Sequence, residues 1–92
     1  MATKIYIDQG HNPQNPNAGA EGNGYREQDI VYDIGVILAR ILQNYGYETR
    51  LSRKDPDVIL GTSNASSLAI RVSEANAWGA DYFISLHTNA SV

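Results

Sequence analysis

Asp81-Tyr82-Phe83-Ile84-Ser85-Leu86-His87 is an almost uninterrupted apolar and aromatic run. Such a run reads as a strand buried on both faces, the kind found inside parallel sheets. Upstream of it, Ser66 or Ser67 is placed to cap a helix that buries Leu68, Val72 and Ala75 and stops at Gly79. Earlier still, Tyr47 to Ser52 alternates loosely, with Glu48 and Arg50 beside Leu51, as a half-exposed or edge strand does. Asp55-Pro56-Asp57 and Gly61-Thr62-Ser63-Asn64 are turn and loop signals. Between Glu27 and Tyr45, Ile30, Ile34, Ile37, Leu38, Ile41 and Leu42 recur at helical spacing, and Gly46 supplies the stop. The chain opens with Lys4-Ile5-Tyr6-Ile7-Asp8, a strand rich in β-branched and aromatic residues, then a Gly-, Asn- and Pro-crowded loop from Gln9 to about Arg26. A loop of that length inside a small domain is usually functional. The order β-loop-α-β-α-β predicts an α/β fold: a parallel sheet joined by right-handed crossovers and flanked by helices. The apolar strand 82–86 belongs in the middle of such a sheet.

Composition bounds the function classes. With 92 residues, 42% of them hydrophobic, residues 1–92 form a single small domain. A net charge of -3 and the lack of any basic run exclude a nucleic-acid binder, which needs clustered Lys and Arg against phosphate. There is no cysteine, so disulfides, thiolate metal sites and thiol catalysis are all excluded, and a tightly held transition metal must use His and carboxylate ligands. Met1-Ala2-Thr3-Lys4 runs straight into a strand with no signal-peptide apolar segment, and no window approaches a membrane span, so a soluble chain is expected.

In open parallel sheets ligands bind beyond the carboxyl ends of the strands, where strand order reverses. His11 lies just after the first strand, His87 ends the last, and Glu27 opens the first long helix. The three therefore converge on one sheet edge, and two imidazoles with one carboxylate are a set that catalytic zinc sites use, leaving a fourth position open. Each also has an ordinary reading. Glu27 suits the first turn of any helix through the helix dipole, His11 can be a plain loop histidine, and His87 can be a core histidine satisfied by a hydrogen bond.

Ile5-Tyr6-Ile7-Asp8-Gln9-Gly10-His11-Asn12-Pro13 resembles the opening of the zinc-dependent N-acetylmuramoyl-L-alanine amidases: a strand, then Asp, a variable residue, Gly and His. Gly24-Tyr25-Arg26-Glu27 is similar to the family segment whose Glu opens the first helix, and Gly46-Tyr47-Glu48 with Ser52-Arg53 to its second strand and exit. Arg71 with Ala75-Asn76, followed by Ala80-Asp81-Tyr82-Phe83-Ile84-Ser85-Leu86-His87-Thr88-Asn89-Ala90, resembles the helix and strand that deliver the last zinc histidine. The likeness runs along the whole chain, in order.

The resemblance implies a partial three-layer α/β/α amidase fold with His11, Glu27 and His87 as ligands of one Zn²⁺. It implies hydrolysis of the amide between the lactyl group of muramic acid and L-alanine in peptidoglycan, by a phage lysin, a mother-cell enzyme or an exported autolysin. Gly10 is expected to let the chain turn into His11. The family's general-base Glu lies on a segment beyond Val92, so no catalytic acid is identified within the chain. Glu21 reads as a solvated loop residue, and Asp8 as a residue that orients His11 or caps backbone amides. A half-domain is thus expected, whose open strand edge pairs with a second copy or with a missing C-terminal half. The alternative from another class is a non-catalytic peptidoglycan-binding or regulatory half-domain.

Overall fold

The computed structural model describes residues 2–19, 21–22 and 25–87; Gly24 and the Thr88-Asn89-Ala90 segment quoted above lie outside them. The elements are β1 (Lys4–Gln9), a short hairpin of β2 (Glu21–Gly22) and β3 (Tyr25–Arg26), α1 (Glu27–Asn44), β4 (Glu48–Leu51), α2 (Asn64–Trp78) and β5 (Tyr82–Leu86). The small β2–β3 hairpin interrupts what the sequence suggests is one continuous loop. The main sheet is parallel, in the order β4-β1-β5. β1 is therefore central. The chain passes from β1 to β4 on one side of it and returns to β5 on the other, so strand order reverses at β1.

The pleat of β1 sends alternate side chains to opposite helices. Ile5 and Ile7 pack with Ala39 of α1, ringed by Leu38, Leu42, Leu51, Ile84 and Leu86. Tyr6 and Asp8 point the other way: the Tyr6 hydroxyl donates to Glu74 at 3.1 Å and Asp8 meets Arg71 at 2.7 Å, both on α2. Helices thus cover both faces of the sheet.

Helical spacing gives the right period, and of the expected α1 row Ile30, Leu38 and Leu42 are half-buried, Leu38 and Leu42 against the core, while the fully buried rows lie elsewhere. The residues of α1 that are fully buried include Val31, Gly35 and Ala39, a row of small residues that lets the helix approach the sheet closely. A Cβ at Gly35 would lie 2.4 Å from Gln9 Cγ, so only glycine fits there. Ile34, Ile37 and Ile41 face outward and are exposed, where they line an apolar groove with Leu38. On α2 the buried row is Ser67, Arg71 and Ala75; of the expected Leu68, Val72 and Ala75, only Ala75 is buried. Rows one residue apart are indistinguishable by spacing alone. The buried ion pair to Asp8 fixes the helix in the phase that the apolar count does not favour. The cap also differs: Ser63, not Ser66 or Ser67, is the N-cap and forms a reciprocal capping box with Ser66, and left-handed Gly79 closes the helix.

β5 is the open edge expected of a half-domain. Its apolar run is that of a strand covered on both faces, yet here it lies at the sheet edge beside β1, with Tyr82 and Phe83 exposed and Ile84 and Leu86 half-buried. Among the described residues no strand pairs with its outer edge. β4, read as a half-exposed or edge strand, is one. No helix among the described residues is long and apolar enough to cross a membrane.

Candidate metal centre

The reversal of strand order at β1 opens a crevice at the carboxyl ends of β1 and β5. His11 enters it two residues after β1, His87 directly follows β5, and Glu27 is the first residue of α1. One ligand atom from each lies within 4.8 Å of the others. His11 Nε2 is 3.2 Å from Glu27 Oε1, and His87 Nδ1 is 3.5 Å from Glu27 Oε2. The two imidazoles meet edge to face with centroids 5.1 Å apart. Exposure grades outward, from 7% for the Glu27 side chain through 21% for His11 to 44% for His87. The carboxylate forms the floor, and the imidazoles leave one side open to solvent.

Several buried polar groups hold His11. Its Nδ1 is 3.2 Å from Asn17 Oδ1. An amide oxygen only accepts, so Nδ1 carries a proton, and in the neutral ring Nε2 turns its lone pair toward Glu27. Asn17 is fixed in turn by donating to Ser67 Oγ at 3.1 Å. The His11 carbonyl accepts from Arg71 at 2.7 Å, although its backbone sits in the left-handed region at φ 68°, which few non-glycine residues adopt outside functional loops. Asn12, fully buried, accepts from Leu60 N–H and donates to the Pro16 and Leu60 carbonyls. Gln28 accepts from Gly19 N–H and donates to the Pro13 carbonyl, so α1 anchors the same loop.

Gly10 has a role other than the one expected. The left-handed residue is His11, and Gly10 is required for space: a Cβ there would come 2.5 Å from His87 Cε1 and 2.6 Å from the Leu86 carbonyl oxygen. Asp8 acts on His11 through Arg71 rather than by direct contact: its carboxylate pairs with Arg71, which donates to the His11 carbonyl, and it accepts from Ser85 Oγ at 3.0 Å. Glu21 forms an exposed ion pair with Arg26 at 3.1 Å. Sequence reading missed Asn12, Asn17, Gln28 and Ser67 as supports of the site. The only signal for them is a density of amide and hydroxyl residues around a histidine, which any surface loop also has.

The donor set fits a divalent metal. Glu27 presents an oxygen to each imidazole, and with a neutral ring the oxygen at His11 faces the Nε2 lone pair, a contact that a proton or a metal ion between them would satisfy. With one donor atom from each residue, the three lie within 4.8 Å of one another, against about 3.4 Å between the ligands of a tetrahedral zinc with bonds of about 2.1 Å, so the set is gathered for an ion without yet being closed on one.

Fold and site together define an α/β protein with a His-Glu-His cluster at the switch point of a parallel sheet. Residues 5–92 match the family model described as N-acetylmuramoyl-L-alanine amidase, and the chain belongs to that family. It is 39% identical over 89 residues to the sporulation-specific N-acetylmuramoyl-L-alanine amidase of Bacillus subtilis strain 168, covering 95% of this chain and 31% of that protein. It is 36% identical over 92 residues to an endolysin of Bacillus phage SPP1, covering 99% and 31%. Its fold superposes on the N-acetylmuramoyl-L-alanine amidase AmiC2 of Nostoc punctiforme with a TM-score of 0.79 at 32% identity, over 97% of this chain and 45% of that one. The chain thus spans about a third of the length of these curated relatives.

Proposed function

We propose that residues 1–92 are the N-terminal part of a zinc-dependent amidase domain that hydrolyses the bond between N-acetylmuramic acid and L-alanine in peptidoglycan. The observation that carries this reading is the meeting of His11, Glu27 and His87 within 4.8 Å in a chain of the amidase family. His11 Nε2, a Glu27 oxygen and His87 Nδ1 would hold the ion. Zinc, when bound, supplies a Lewis acid for the amide carbonyl and lowers the pKa of water toward neutrality. The protein's own contribution is to fix the donors: Glu27 by burial at the start of α1, His11 through Asn17 and Arg71, and His87 against Gly10. The open side of the cluster, toward the exposed His87 ring, is where a muropeptide would enter.

The carboxylate that moves the proton from water to the leaving amine comes, in this reading, from polypeptide outside these residues. Of the acids nearest the cluster, Asp8 is committed to Arg71 and Glu21 to Arg26. The same polypeptide would complete the sheet beside β5 and cover Ile34, Ile37 and Ile41 of α1 and Leu68 and Val72 of α2. The protein would act on the cell wall, whether delivered by phage, made in a mother cell or exported.

Zinc titration against a competing chelator tests the site. The parent should take up one Zn²⁺, and His87→Ala should lose the uptake while the metal-free melt moves by no more than about 0.5 kcal/mol, as expected for an exposed side chain. A His87→Ala variant that binds zinc as the parent does would refute the ligand set. Release of free L-alanine amino groups from muropeptides should require both zinc and the completing polypeptide. Zinc-independent release, or zinc uptake with no release once the domain is complete, would refute the enzymatic reading, the second outcome favouring a peptidoglycan-binding module.

A further inference from the structure

One buried ion pair stands behind both imidazoles. Arg71 and Asp8 are buried on opposite elements, α2 and β1, and meet at 2.7 Å. On one side of the pair the Arg71 guanidinium donates to the His11 carbonyl at 2.7 Å and to Asn12 Oδ1 at 3.2 Å. On the other, Asp8 Oδ2 lies 3.0 Å from Ser85 Oγ, which lies 3.0 Å from His87 Nε2. These contacts follow from register: Asp8 pairs with Ser85 across the β1–β5 ladder, so the two side chains stand on the same face.

The polarity of this chain of bonds is determined by its end. A carboxylate accepts only, so the Ser85 hydroxyl must donate to Asp8. Its oxygen is then left to accept, and His87 Nε2 must carry the proton. In the neutral ring His87 Nδ1 is then bare, and it is the nitrogen 3.5 Å from Glu27 Oε2. A reversed hydroxyl would place the proton on Nδ1 and remove the lone pair from the cluster.

We propose that Asp8 and Ser85 are positioning residues that set the tautomer of His87, and that Arg71 ties this relay to the backbone of His11, so that one ion pair prepares both imidazoles to accept a metal. The proposal rests on the zinc-site reading for its purpose, but the tautomer is a property of the metal-free protein and is measurable without it. Outer-shell partners of metal-bound histidines change metal affinity by about 10- to 100-fold when removed, and the exposure of Ser85 places its effect at the lower end.

The test is ¹⁵N imidazole NMR of the metal-free chain, at a pH about two units above the ordinary histidine pKa of ~6.5, with zinc affinity measured in parallel. The parent should show His87 protonated at Nε2. Ser85→Ala should give a mixture of tautomers and bind zinc about tenfold more weakly, with an unchanged metal-free melt, and Ser85→Thr, which keeps the hydroxyl, should restore both. Asp8→Asn should invert the relay: with its amide oxygen held by Arg71, its NH₂ donates to Ser85, the hydroxyl turns to His87, and the proton moves to Nδ1. A His87 tautomer unchanged in Ser85→Ala overturns the proposal, whether or not Asp8→Asn folds. If the parent takes up no zinc while the tautomers respond as stated, the relay stands and the zinc reading falls.

Discussion

The two faces of β1 are built on different principles. Toward α1, Ile5 and Ile7 pack against Ala39 and a ring of leucines and Ile84, contacts that are non-directional and proportional to area, and only at the end of the strand does buried Gln9 add a bond to the Tyr32 carbonyl. Toward α2, Tyr6 stacks on Phe83 at 5.4 Å and bonds Glu74, while Asp8 pairs with Arg71, which also bonds the Gln9 and His11 carbonyls. These contacts are directional. An apolar face tolerates sliding and repacking, whereas a hydrogen-bonded face holds only at one register. The His11 loop and the Ser85 hydroxyl both hang from the directional face, so that face determines where the imidazoles point.

Breaking the ion pair from one side should give the largest effect. Asp8→Ala leaves Arg71 buried without its counter-charge and should cost about 3 to 5 kcal/mol in a metal-free denaturant melt. Combining it with Arg71→Met should recover much of that loss, because an apolar pair of similar volume often replaces a buried ion pair without penalty. Zinc affinity should stay low in the double variant. Recovery of both stability and affinity would show that the polar face has no geometric role.

The apolar face is tested next. Ile7→Ala should cost about 2 to 5 kcal/mol through a cavity beneath α1, and zinc affinity, measured well below the melting temperature, should remain within a few-fold of the parent. Ile84, expected from sequence to be a core residue, is only half-buried on the edge strand, and Ile84→Ala should cost about 1 kcal/mol. Equal losses at the two positions would mean that β5 is covered in solution, by a second copy or by further polypeptide, and sedimentation at matched concentration would tell these apart.

The smallest effect is a pH dependence on the polar face. Burial, and then the Glu74 carboxylate, push the Tyr6 hydroxyl well above its ordinary value of 10.0. The folded state therefore holds this proton more tightly than the unfolded state. The resulting stability is fully present below the unfolded value and is lost as pH rises above about 10. Tyr6→Phe should flatten that alkaline decline while costing about 1 kcal/mol near neutrality for the lost bond to Glu74. A decline as steep in Tyr6→Phe as in the parent would assign it to another group.

What the sequence determined by itself was period and order. Helical spacing from Glu27 onward, the apolar strands at both ends and the alternation of strand and helix required a parallel α/β sheet, because each pattern buries a face only in that arrangement. They also put His11, Glu27 and His87 near strand and helix ends, which in such a sheet lie close together. Phase, edge and polarity were decided by the tertiary structure. Leu68 and Val72 lost the interior to Ser67 and Arg71 because a partner for Arg71, Asp8, waits on β1, and no local pattern on α2 encodes a charge 63 residues away. Gly10 is needed for the ring of His87, a contact that exists only after β5 has paired with β1. The direction of the Ser85 hydroxyl depends on the carboxylate opposite it in the ladder, and a hydrogen-bond direction is defined only when both ends are in place.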